Sequence, residues 1–131
     1  MRSRRRNAME IQRPETNHES IMQALSGMRT KNNEEIPVSF MVYKGNKTTY
    51  ITFQEVDKFP KVMADDECEY SAPRFDIDIY TQGNFIDIVK EVKQRLINAG
   101  WTWVEDSVDQ YEADTKYFHK TATFEIENYK I

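Results

Sequence analysis

The chain has 131 residues, which is long enough for one domain with an ordinary core. Of these residues 39% are hydrophobic, including two Trp, seven Tyr and seven Phe, which is too apolar for a disordered chain. Its single cysteine, Cys68, excludes an intramolecular disulfide, and no apolar run approaches the ~20 residues of a membrane-spanning helix. Residues 1–8 hold four arginines and no acid, so the remaining 14 basic and 22 acidic groups leave a charge of −8, which argues against a surface that grips nucleic acid.

The chain begins with a segment that we set apart from the fold. We interpret residues 1–8 as a vector-derived or disordered leader, and residues 9–131 as a single α+β domain. The alternative is that the arginines form a basic arm that contacts DNA or RNA. A first helix is expected from Thr16 or Asn17, either of which is a good N-cap, to about Arg29. Its expected buried side consists of Ile21, Met22, Leu25 and Met28.

Two alternating runs follow the first helix and predict a β-hairpin. Residues 37–43 form the first strand and residues 48–56 the return strand. The turn between them, residues 44–47, contains Gly45-Asn46, which is a good hairpin signal. An antiparallel pair is therefore expected here.

Residues 57–72 show no clear periodicity and predict a long loop. Long loops in compact domains are often functional, and apolar side chains are interspersed here with acids, as in a segment that docks on a partner. The alternative is that these apolar side chains fold back onto their own sheet. The residues that we assign to partner contact are Phe59, Val62, Met63, Asp65, Asp66, Glu67 and Tyr70.

The centre of the chain predicts a half-buried strand followed by an amphipathic helix. Phe75, Ile77 and Ile79 alternate with polar residues, so they face one side of the strand. Asn84 is a good N-cap for the helix, and Gly100 is expected to provide its left-handed C-cap. The expected apolar stripe of this helix consists of Phe85, Ile88, Val89, Val92, Leu96 and Ile97.

The last third of the chain predicts two more strands. Residues 101–104 form a short strand, residues 105–115 a polar connection, and residues 117–128 the closing strand. Lys120 falls on the apolar side of that strand, so it must snorkel or lie at an edge. The expected fold is α+β, with element order α-β-β-β-α-β-β and a mostly antiparallel sheet of four to five strands that carries both helices on one face.

We searched the sequence for chemistry and expect neither an enzyme nor a bound cofactor or metal. Asp76 and Asp78 share a strand face, but the Glu-x-Lys at residues 91–93 lies on a helix, where positions two apart point in different directions, unlike the strand of metal-dependent nucleases. The two histidines lie on different elements, and Cys68 has four acidic neighbours that disfavour its thiolate. The aromatics around Trp101 and Trp103 are read as core or interface residues, because the acidity disfavours a base-stacking platform.

Three segments, taken in their order and spacing, resemble a known family. They are YITFQEV at 50–56, DIDIY at 76–80 before GNF at 83–85, and DQYEADTKYFHK at 109–120. The chain resembles, from about Met9 onward, the small tail-terminator or tail-completion proteins encoded in the head-to-tail region of long-tailed phages and Gram-positive prophages.

The resemblance implies a structural role in the virion, with assembly in the cytoplasm of the bacterial host. Such proteins form a ring, commonly a hexamer, that ends growth of the tail tube and offers a docking surface to the head–tail connector protein. The implied partners are other copies of the chain, the tail-tube protein and the connector, with no sequence-specific nucleic acid and no membrane. The acidic ring lumen of the family, through which DNA passes, fits the charge of −8.

The resemblance leaves the contact residues as hypotheses. We assign a second segment to contacts between subunits: Asp109, Tyr111, Glu112, Asp114 and Tyr117. The alternative function is a small acidic cytosolic binding module or inhibitor that mimics nucleic acid and blocks a basic partner. A divalent-dependent nuclease is a third alternative.

Overall fold

The computed structural model describes residues 16–64, 67–126 and 128–129, and for 57–64, 67–71 and 128–129 it describes the backbone alone. The described elements are the helices α1 (Asn17–Ala24) and α2 (Phe85–Asn98) and the strands β1 (Val38–Phe40), β2 (Thr49–Ala64), β3 (Glu67–Thr81), β4 (Thr102–Asp106), β5 (Gln110–Glu112), β6 (Tyr117–Glu125) and β7 (Asn128–Tyr129). The expected α+β class is confirmed. The sheet has seven strands in the described part, more than the four to five expected.

The strands form one sheet in the order β1-β2-β3-β6-β4. β4 pairs with the second half of β6 and β5 with its first half, so these two short strands share one side of β6. β7 pairs with β3 where β6 has ended. The pairing is antiparallel except between β1 and β2. Hence β1 forms one edge of the sheet, and β4 with β5 forms the other.

The expected hairpin of residues 37–56 is wrong, because β1 and β2 run parallel. Val38 lies beside Ile51 and Phe40 beside Phe53. The chain reverses directly after β1, where Met41 has a φ of 68° and the Val42 N–H donates to the Phe40 carbonyl at 2.7 Å. Residues 41–48 then lead back to the start of β2. Alternation fixes which face a side chain takes but not the direction in which two strands pair.

The expected loop at residues 57–72 is also wrong, because β2 and β3 continue through it as a paired ribbon. Their register runs from Asp57↔Arg74 to Ala64↔Glu67. Three register shifts, at 55/57, 60/62 and 62/63, interrupt the alternation and explain why the sequence shows no period there. We call residues 58–64 and 67–73 the arm. At strand rise it is roughly 20 Å long.

Both helices cover the same face of the sheet, and the core lies between this face and the helices. Phe75, Ile77 and Ile79 are buried, as their alternation predicts. Trp101 is buried as well, and its indole N–H donates to the Ser20 hydroxyl of α1 at 3.0 Å. The further buried apolar side chains are Ile21, Leu25, Met28, Ile36, Ile51, Phe53, Ala72, Ile88, Val89, Val92, Leu96, Ala122 and Phe124. None of the described helices is long and apolar enough to span a membrane.

The helix ends follow their capping residues, although α1 is shorter than expected. Thr16 and Glu19 form a reciprocal capping box at the start of α1, which ends at Ala24 rather than near Arg29. Met22 is 43% exposed, contrary to expectation, because it points about 100° away from its buried neighbour Ile21 on the helix. Asn84 caps α2 as expected, and Gly100, with a φ of 100°, adopts the left-handed conformation after it. Ile97, in the last turn, is 52% exposed, contrary to expectation.

Asn84→Ala is expected to lower the free energy of unfolding by about 1 kcal/mol. The Asn84 side-chain oxygen accepts from the backbone N–H groups of Ile86 and Asp87 at 3.1 and 3.4 Å, and alanine leaves both donors without this partner. Urea denaturation followed by circular dichroism measures the loss. Gln94→Ala, at an exposed position in the middle of the same helix, is the matched control and is expected to be neutral. Equal stability of the two variants would contradict the capping role.

Candidate interaction surfaces

The face of the sheet that the helices leave open carries a row of stacked rings. Tyr43, Tyr50, Tyr80 and His119 follow one another across the sheet, with centroid distances of 4.5, 4.8 and 4.2 Å and interplanar angles of 24°, 17° and 10°. The sheet register places Tyr50 opposite Tyr80 and Tyr80 opposite His119. Both flat faces of Tyr50 and Tyr80, and one face each of Tyr43 and His119, are therefore used within the chain. The Tyr43 hydroxyl also accepts from the Lys47 N–H at 2.9 Å, so the phenol groups of Tyr50 and Tyr80 are the ones that remain for a partner.

Acidic and hydroxyl side chains next to this row form hydrogen bonds with one another. Asp78 accepts a hydrogen bond from the Thr121 hydroxyl, and its Oδ1 lies 3.2 Å from His119 Nε2. Asp76 accepts from the Thr123 hydroxyl at 2.7 Å. Both carboxylates are thus engaged with hydroxyl groups of the neighbouring strand β6. Among the described residues, no group of three or more His, Cys, Asp or Glu side chains is placed to hold a metal ion.

Two of the stacked tyrosines have shifted pKa values. Burial raises the pKa of Tyr50, and its neighbours Tyr117, Glu112 and Tyr43 raise it further. Burial also raises the pKa of Tyr80, with the negative charge of Asp78 as the next cause. Both phenols therefore stay protonated at neutral pH and present hydrogen-bond donors on the open face.

The predicted subunit-contact residues lie together on the β5–β6 hairpin, but they differ in what they contact. Asp109 forms an ion pair with Lys120 at 2.6 Å, and the Tyr117 hydroxyl lies 3.4 Å from the Lys47 carbonyl oxygen. Tyr111 is 54% exposed although its ring lies 4.8 Å from that of Phe118. The remaining two, Glu112 and Asp114, are exposed. Glu112 accepts a hydrogen bond from the Thr115 hydroxyl at 2.8 Å, so Asp109, Glu112 and Tyr117 have polar partners within the chain. Tyr111 and Asp114 are the two of the five that are most available to a partner.

The predicted partner-contact residues fall on the arm instead of a loop. Five of them lie on its two strands: Phe59, Val62, Met63, Glu67 and Tyr70. Asp65 and Asp66 lie outside the described residues. Beyond its own pairing, the described part of the arm pairs with β7 at Tyr70 and Ser71, and at its base the Pro73 carbonyl accepts from the Ile126 N–H at 3.2 Å. A two-stranded ribbon is marginally stable in water by itself, so the arm is the part of the sheet that gains most from a partner.

A charged cluster at the β4 edge was missed by sequence reasoning. Asp106 lies 2.6 Å from Lys93 Nζ and 3.9 Å from Lys120 Nζ, and accepts a hydrogen bond from the Trp103 indole N–H at 2.8 Å. The Lys93 ammonium also lies 4.9 Å from the centre of the Trp103 ring. The one related signal in the sequence was Lys120, whose place on an apolar strand face required it to snorkel or lie at an edge. The cluster ties α2 to the edge of the sheet.

Asp106→Asn is expected to lower the free energy of unfolding by about 1–2 kcal/mol at pH 7. Burial by itself would raise the pKa of Asp106, but the hydrogen bonds from Lys93 and Trp103 and the charges of Lys93 and Lys120 outweigh it and hold the pKa below its ordinary value of 3.8. A lowered folded-state pKa stabilises the fold above the unfolded-state pKa, and this contribution disappears as the pH falls through the folded-state pKa.

Urea denaturation of wild type and Asp106→Asn across the pH range tests this dependence. The difference in stability between the two proteins is expected to be constant above about pH 5 and to shrink below about pH 4. A difference that stays constant down to pH 2.5 would contradict it.

A polar groove of about 520 Å³ lies between residues 29–34, the start of β2, the end of β3 and the start of α2. Lys31 and Asp87 lie 3.3 Å apart there as an exposed ion pair. The first N–H groups of α2 donate to Asn84. The lining carries more acidic than basic side chains, and the helix N–H groups there are already bonded, which disfavours an anionic ligand.

No protein-family model matches the chain, and no curated protein sequence matches it either. The resemblance to tail-terminator proteins stays a prediction that rests on the three segments quoted above.

Proposed function

We propose that the chain is a structural subunit of a phage tail, which assembles into a ring at the head-proximal end, stops growth of the tail tube and joins the tail to the head. The arm carries this proposal. It is a strand pair that continues past the partners of β2 and β3 in the central sheet. A ribbon of this kind is stabilised when it lies against another subunit or the end of a tube, which adds strands or packing to it.

The charge of the chain also supports a structural role beside the channel through which DNA would pass. Outside residues 1–8 the chain carries 14 basic and 22 acidic groups, so DNA that passes through a ring of such subunits would be repelled from the wall rather than bound to it. On the open face, Asp76 and Asp78 hold hydroxyl groups of their own sheet. We therefore assign this face no catalytic task.

The test is assembly of a tail tube in the presence of the chain. The tail-tube protein that this proposal implies as the partner, taken from the genome that encodes the chain, is polymerised with and without the purified full chain, and the tubes are imaged by negative-stain electron microscopy. We expect shorter tubes that carry an added ring at one end. Tubes whose lengths are unchanged and whose ends bind no chain would contradict the proposal. Capture of a basic cytosolic protein instead would favour the inhibitor alternative.

A further inference from the structure

The two free edges of the sheet carry most of the exposed apolar side chains. We call residues 38–48 the β1 edge and residues 102–114 the β4–β5 edge. Ten large hydrophobic side chains are exposed in the described part of the chain, and six of them lie on these edges. They are Phe40, Met41 and Val42 on the β1 edge and Trp103, Val108 and Tyr111 on the β4–β5 edge. Exposed apolar groups that are concentrated in this way mark protein–protein contacts.

The two edges also carry opposite charge. The β1 edge has Lys44 and Lys47, both exposed, and no acidic residue. The β4–β5 edge has five acidic residues and no basic one. Two of these acids, Asp106 and Asp109, are paired with lysines of the same chain. The other three, Glu105, Glu112 and Asp114, are exposed and make no ion pair within the part of the chain that the structure describes.

We propose that the β1 edge of one copy docks on the β4–β5 edge of the next. The occupant of each edge is then a second copy of this chain, because the apolar groups of the two edges match and their charges attract. A two-fold contact would instead pair each edge with itself and place lysines against lysines or acids against acids. Because the edges lie on opposite sides of one sheet, the contact is head-to-tail, and repetition of it gives a closed ring or a filament.

The edges are built to limit this association to one register. β1 has three paired residues, and β4 and β5 are separated by residues 107–109 and carry a register shift next to Trp103. Short and interrupted edge strands resist continuous backbone pairing. The side chains of the two edges must therefore select the partner. The proposal deepens the self-association on which the proposed function rests, by naming its two surfaces.

Two single variants and their mixture test the head-to-tail contact. Val42→Glu places an acid on the lysine-bearing edge and Val108→Lys places a lysine on the acidic edge, at positions that are 58% and 76% exposed, so folding should be unaffected. Each variant alone is expected to be monomeric by light scattering at concentrations where the wild type assembles, because the added charge meets like charge on the facing edge. Mixed in equal amounts, they should assemble like the wild type, because the intact edges fit each other and the two altered edges pair a glutamate with a lysine. Gln94→Glu and Gln94→Lys, which add the same charges on α2, should each assemble like the wild type.

Three outcomes would overturn the proposal: a wild type that stays monomeric throughout, single variants that still assemble, or a mixture that stays monomeric. A variant that alone forms a dimer would show a two-fold contact instead. The tail-tube experiment is independent of these outcomes. Restored assembly in the mixture without tube capping would leave the contact valid and remove the phage function, whereas capping by both single variants would keep the function and remove the contact.

Discussion

Phe75→Ala is expected to lower the free energy of unfolding by about 3–5 kcal/mol, a large part of the 5–15 kcal/mol typical of a domain. Phe75 is 1% exposed at the centre of β3, and its ring centre lies 5.5 Å from that of Trp101 and 5.3 Å from that of His18. It thus contacts the start of α1 and the residue before β4 at once. Removal of the ring leaves a cavity where three elements meet, and a packed core relaxes only in part around such a cavity.

Urea denaturation followed by circular dichroism measures this loss. Phe75→Leu is the matched control and is expected to cost about 1 kcal/mol, because most of the volume stays filled. If Phe75→Ala unfolds within 1 kcal/mol of the wild type, Phe75 does not lie at the centre of the core.

Replacement of residues 60–71 by Asn-Gly is expected to abolish capping of the tail tube while the body stays folded. Phe59 and Ala72 are opposite each other in the ribbon, so a two-residue turn can join them. The parts of β2 and β3 that belong to the central sheet are left unchanged. They are residues 51–53, which pair with β1, and residues 74–81, which pair with β6. The variant loses most of the arm and, with it, the predicted contact residues from Val62 to Tyr70.

The tube-length assay compares this variant with the wild type, after circular dichroism has shown that the two have similar melting temperatures. We expect tubes as long as those grown without the chain. Tubes capped as efficiently as by the wild type would show that the arm is not the docking segment. The control is Asn84→Ala, which is destabilised at a helix cap far from the arm in sequence and should still cap tubes.

Local signals in the sequence predicted the elements that depend on local chemistry. Phe75, Ile77 and Ile79 are buried because a strand with one covered face alternates with period two. α2 begins after Asn84 because the side-chain oxygen of Asn84 satisfies the first N–H groups of the helix. It ends before Gly100 because glycine tolerates a positive φ. These features require no knowledge of what the segment packs against.

Features that depend on distant partners were not predicted. The parallel pairing of β1 with β2 follows from a reversal at Met41, a residue type that seldom takes a positive φ. The arm was read as a loop because its bulges interrupt the alternation. The cluster of Lys93, Trp103 and Asp106 joins a helix to a strand edge, and no spacing in the sequence marks such a pair. Of the candidate surfaces, the sequence indicated the arm and the β5–β6 hairpin but not their conformations, and it did not indicate the β1 edge.

The central claim, that this chain is a ring-forming subunit, is tested most directly by the mass of the full chain in solution. Light scattering on a sizing column, over a concentration series and with negative-stain images of the same fractions, measures it. One chain has a mass of 15.6 kDa, so the hexamer that the resemblance implies would have a mass of about 94 kDa and appear as a closed ring. A mass of 15.6 kDa at every concentration, with no ring on the ends of tail tubes, would contradict the claim.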